Sequence, residues 1–113
     1  MLKCYTVISK EQFVSFPLNK RYLIAASDFA RAASLIKSGL TDLALDSIRT
    51  GCNFLKYLAE DDISLAKHFP PAAECEKYVR DGNHIKVYNI YLDLMELGGV
   101  PKLKVREAEK RSV

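Results

Sequence analysis

Nowhere in this sequence is there an uninterrupted apolar run of about 18 residues, the length a helix needs to cross a bilayer. The opening MLKCYTVISKEQF is itself broken by Lys3 and Lys10. Neither a membrane span nor a secretory signal peptide is expected, and no membrane partner. Cysteine is scarce: Cys4, Cys52 and Cys75 are an odd number, without a CxxC or a paired Cys/His spacing. That argues against a disulfide framework or a zinc site and fits reduced thiols in a cytoplasmic protein. The two histidines, His68 and His84, have Cys75 as the one cysteine between them, too sparse a set for metal ligands. A glycine-rich phosphate loop is missing too, since Gly98-Gly99 lacks the flanking strand, helix and lysine of one. No cofactor is expected, and catalysis has little support. Internal repeats and low-complexity tracts are likewise absent.

What is present is ordinary globular material. The chain has 113 residues, 49% hydrophobic and 27% charged, enough to bury a core as one domain. Residues 1–113 are therefore read as a single helical domain, with 106–113 a charged tail. The net charge of +3 conceals an uneven layout. Residues 1–39 carry six Lys/Arg against two Asp/Glu, residues 40–101 six against ten, and residues 102–113 five against two. A basic–acidic–basic order gives either two basic surfaces or segments that neutralise each other on folding.

Helix signals recur along the chain. Ser9 and Gln12 have capping-box spacing, with Ile8 and Phe13 as a hydrophobic staple, so a short helix is expected from about Lys10 to Phe16. Pro17 breaks it. Tyr22, Ala26, Phe29, Ala33 and Ile36 predict a long helix over about Lys20–Ser38. Its start is ambiguous, because Lys20 and Arg21 oppose the helix dipole and Ser27-Asp28 offers a later cap. Gly39 supplies a left-handed stop and Thr41 an N-cap for a second long helix to about Glu60, with Ala44, Ile48, Cys52, Leu55 and Ala59 on its apolar stripe. Gly51, beside that stripe, is expected to admit a neighbouring backbone. Asp61-Asp62 caps a short turn, Pro71 opens the next helix, Gly82 ends it, and Asn83 caps the last. Residues 2–8 and 100–105 have strand-like patterns. The expected fold is mainly α, a compact bundle of about five helices with a short two-stranded ribbon joining the terminal segments.

The helix from about His84 to Leu97 is the unusual one. Nine of its residues are apolar or aromatic, and Lys86, Asn89, Asp93 and Glu96 form one narrow polar stripe. Such a helix needs cover on nearly all sides. In a short chain, one flank is expected on the first two long helices and the other, with Tyr88, Tyr91 and Met95, against a partner. The function this favours is a non-enzymatic adaptor or regulator that binds another protein, or itself, through that flank. An alternative is a nucleic-acid-binding regulator, with Lys102, Lys104, Arg106, Lys110 and Arg111 neutralising phosphates and Lys20, Arg21 and Arg31 extending the patch. Glu107 and Glu109 within the tail count against it.

Arg80-Asp-Gly-Asn-His84 resembles the Arg-polar-x-x-x-His signature of HEPN-domain ribonucleases, which are also helical domains of about this length. The resemblance implies RNA cleavage dependent on Arg80 and His84. The spacing is one residue short, however, and Gly82 interrupts the helix on which that signature sits. The preferred reading places Arg80 at a helix C-terminus, where it favours the dipole, and His84 in the first turn of the next helix.

Overall fold

A computed structural model describes residues 8–99. Six helical segments follow one another: α1 (Lys10–Ser15), α2 (Leu18–Lys37), α3 (Thr41–Asp61), α4 (Leu65–His68), α5 (Ala72–Arg80) and α6 (His84–Leu97). α4 is a single turn, which leaves five helices of the expected kind. They close into a compact bundle around one apolar core. Among the described residues no strand occurs, and no helix is long and apolar enough to cross a membrane. The expected ribbon thus has no support, and its segments 2–7 and 100–105 lie outside the described residues, as does the 106–113 tail.

The bundle begins at the capping box. Ser9 Oγ accepts the Gln12 N–H at 3.2 Å, and Gln12 Oε1 accepts the Ser9 N–H at 3.2 Å. This holds α1 so that Phe13 enters the core and stacks on Phe54, ring centroids 4.6 Å apart. Pro17 is the N-cap of α2, whose first residue, Leu18, is two earlier than the expected start. The basic residues thought to oppose that start face elsewhere. Arg21 donates to the carbonyls of Phe16 at 2.8 Å and Val14 at 2.9 Å, closing the C-terminus of α1, and pairs with Asp61 at 3.3 Å. Lys20 places its ammonium over the Phe16 ring. Ser27 and Asp28 lie inside α2 and cap nothing; Ser27 donates to the Ile24 carbonyl, and Asp28 is buried beside Arg31.

Gly39, with φ 77°, stops α2, while the Leu40 N–H reaches back to the Leu35 carbonyl at 2.9 Å. The cap position of α3 is Leu40, so Thr41 is its first residue and not its N-cap; no side chain satisfies the free N–H groups there. Pro71 likewise stands at the cap of α5, with Ala72 first in the helix. The buried side of α3 is Ala44, Ser47, Ile48, Gly51, Phe54, Leu55 and Leu58; Cys52 and Ala59 are half-buried at its edge. The stripe sits to one side of the expected one because α2 and α1 both press on that face.

The helix at the centre is α2, which packs extensively against both α3 and α6. Ala25, Ala26, Ala32 and Ala33 are all buried on it, and these small side chains let two helices approach one. The expectation that one flank of α6 packs on both long helices is therefore corrected: it runs along α2 and touches α5. Gly98 at its end lies against Leu23 and the Asn19 carbonyl near the start of α2, and His84 and Ile85 share a cleft with Lys37 and Ser38 at the other end. α6 is thus antiparallel to α2. Val87, Ile90, Leu92 and Leu94 are buried, while Tyr88, Tyr91 and Met95 are half-buried against the core.

Candidate protein-docking surface

Two local stops put the start of α6 where it is. Gly82 takes φ 73°, the Asn83 N–H binds the Tyr78 carbonyl at 2.8 Å, and the Asn83 side chain accepts the Lys86 N–H at 3.3 Å. The chain reverses within a few residues, and α6 returns beside the C-terminal half of α2. Between the two helices lies an open cleft of about 600 Å³. Ala30, Ala33 and Ser34 of α2, all small, border it on one side; His84, Ile85, Tyr88 and Asn89 of α6 border it on the other. Small residues keep the α2 wall low, so the cleft is accessible from outside.

Ile85 is an aliphatic side chain 63% exposed there. Lys37 lines the same cleft and Lys86 follows Ile85 on α6, both exposed. Neither has an ion-pair partner among the described residues. Leu40 and Leu43, exposed at the turn into α3, extend the apolar surface at this end of the bundle. These residues place exposed apolar side chains and an exposed lysine side by side at this end of the bundle.

A second cleft, about 790 Å³, opens between α3 and the α4–α5 segment. Leu55, Leu65 and Phe69 give it apolar walls, and Cys52 lies on its α3 side. At its edge Arg49 and Arg80 meet Glu76 at 3.2 and 3.3 Å. The bound Arg49 guanidinium, with Arg80 behind it, holds the Glu76 carboxyl below its ordinary pKa. Tyr78 donates its hydroxyl to Glu74, which raises the phenol's pKa. Glu74 is an exposed charge in the first turn of α5, whereas Glu76 is half-buried.

Of the residues singled out from sequence, Tyr88 borders the α2–α6 cleft. Its ring lies 5.1 Å from that of Tyr91, but Tyr91 and Met95 pack toward the core and do not border the cleft. Lys102, Lys104, Arg106, Lys110 and Arg111 lie outside the described residues. Of the cations read as extending their patch, Arg21 and Arg31 are engaged by Asp61 and Asp28. Arg80 turns to Glu76, whereas His84 borders the α2–α6 cleft, so the two residues of the ribonuclease-like pattern face different partners. The exposure of Ile85 was not among the features singled out from sequence. Its signal was present: it stands one turn before Tyr88 and Asn89, beside the polar stripe. Among the described residues, no group of three or more His, Cys, Asp and Glu gathers in metal-binding proximity.

Comparison of the chain with protein-family models, with curated proteins and with solved structures finds no match.

Proposed function

We propose that the protein is a non-catalytic helical module that docks an amphipathic, acidic segment of another protein onto the α2–α6 cleft. The observation that carries this reading is Ile85, an aliphatic side chain 63% exposed at a cleft that Tyr88 and Lys37 also line, with the exposed Lys86 next to it in sequence. Covering one such side chain contributes about 1.5–3 kcal/mol, a large share of a micromolar interaction. Two lysines beside an apolar strip favour a partner with carboxylates flanking its apolar anchor. The surface adopted from the sequence is thereby moved along α6 by one to three turns, from Tyr91 and Met95 toward its first residues.

The test is affinity capture of the tagged full chain from its native cell, with Ile85→Glu and nuclease treatment in parallel arms. The expected result is a protein that survives nuclease and is lost from Ile85→Glu while helical circular dichroism is unchanged. Capture that vanishes with nuclease would transfer the function to the basic residues 102–111. Recovery of only the chain itself would make the surface a self-association site.

A further inference from the structure

Cys52 and Cys75 stand 23 positions apart in sequence and on different helices, yet the packing of α3 on α5 brings them together. Arg49, one turn before Cys52, is bridged to Glu76, the neighbour of Cys75, at 3.2 Å. Cys52 shares the wall of the α3–α5 cleft with Pro71 and Ala72, the turn that leads into Cys75. Cys75 Sγ lies 3.9 Å from the Pro70 carbonyl, and Pro70 lines the same cleft as Cys52; both thiols are free. Their accessibility differs. Cys52 is half-buried and faces a cleft of about 790 Å³, wide enough to admit a small molecule, whereas Cys75 is 0% exposed and stands behind it.

We propose that Cys52 and Cys75 form a dithiol site that exchanges with a low-molecular-weight disulfide and closes to an intramolecular disulfide between α3 and α5. The first step is at the reachable sulfur. Cys52 loses its proton to solvent, and its thiolate attacks one sulfur of the donor, breaking the donor's S–S bond, forming a mixed disulfide and releasing one small thiolate, which takes up a proton. Cys75 then gives up its proton and attacks the Cys52 sulfur, expelling the second small thiolate. Two electrons pass from the protein sulfurs to the donor, which leaves as two thiols. Proximity makes the second step effectively unimolecular, so the mixed disulfide does not accumulate. The neighbouring Cys75, burial and the Glu76 carboxylate hold the Cys52 thiol above its ordinary pKa, while Cys75 is held below its own. The closed bond ties the segment carrying α4 and Pro70-Pro71 across the cleft.

Glutathione disulfide is the probe, applied to the native full chain and followed by alkylation, trypsin and mass spectrometry without reductant. Each cysteine falls on its own tryptic peptide, residues 4–10, 50–56 and 68–77. The expected product joins 50–56 to 68–77 with the loss of two hydrogens, is reversed by dithiothreitol, and leaves 4–10 alkylated. Cys75→Ala should retain a glutathione adduct on 50–56. A glutathione adduct that persists on Cys52 in the parent chain would overturn the proposal. So would dominant links to 4–10, or reaction only after denaturant is added. The parent-chain map decides the question even if Cys75→Ala fails to fold.

Discussion

Phe29 of α2 lies flat on the backbone of α3 at Gly51: a β-carbon there would stand 2.7 Å from Phe29 Cε2 and 3.1 Å from Cδ2. The notch that a missing side chain leaves in one helix is filled by the ring of the other, and this contact sets how closely the two longest helices approach.

Gly51→Ala removes a flexible residue from a helix interior, which by itself stabilises by about 0.5–1 kcal/mol. Against this, the added methyl must displace a buried ring in a close-packed core, an overpacking cost of about 1–3 kcal/mol. The steric term wins, because Phe29 is fully buried and has no free side to turn to. Gly51→Ala is expected to lower the urea midpoint, and the same substitution made in a Phe29→Leu background should be neutral or stabilising. A midpoint that rises in the parent chain would show that the ring yields.

Asp28 sits in the middle of the central helix, 5% exposed, with Arg31 at 2.8 Å. Burial raises its carboxyl from the ordinary 3.8 to about 6, with Arg31 opposing the shift. Because the folded chain holds this proton more tightly than the unfolded one, the group's contribution is full below about pH 4 and is lost as pH rises through about 6. By linkage a shift of this size corresponds to about 3 kcal/mol. Asp28→Asn should therefore gain stability relative to the parent between about pH 4 and 7. Urea unfolding of both chains across that range checks the sign. Glu76, whose pKa is lowered, slopes the other way but cancels in the difference.

The capping box can be tested in isolation. Ser9→Ala leaves the N–H of Gln12 without its acceptor on a helix of six residues. A loss of about 1 kcal/mol is expected. The diagnostic reading is local: amide exchange should quicken across α1, whereas the core of α2 should change only as far as global stability falls.

Two substitutions separate core from surface on α6. Tyr91→Glu should reduce the unfolding midpoint, because the ring packs on the core and against Tyr88. Ile85→Glu should leave the midpoint nearly unchanged and weaken partner binding about tenfold or more. Equal loss of stability in both variants would make the first turn of α6 structural.

What could be read from the chain alone was whatever depends on residues within four or five positions of each other. The Ser9–Gln12 box, the stops at Gly39 and Gly82, the Asn83 cap and the bounds of α6 are all of this kind, since a helix end is settled by its own turn. Where competing local signals met, as at Lys20-Arg21 and Ser27-Asp28, tertiary partners decided: Arg21 had carbonyls of α1 to bind, and Asp28 was drawn into the core with Arg31. Only the tertiary structure made α2 the central helix. An alanine-rich helix and an apolar one both look like core in sequence, and the choice rests on which can admit two neighbours. It also exposed Ile85 and packed the helix that carries Cys52 against the one that carries Cys75. Those outcomes depend on the distance between helices, which no spacing along the chain encodes.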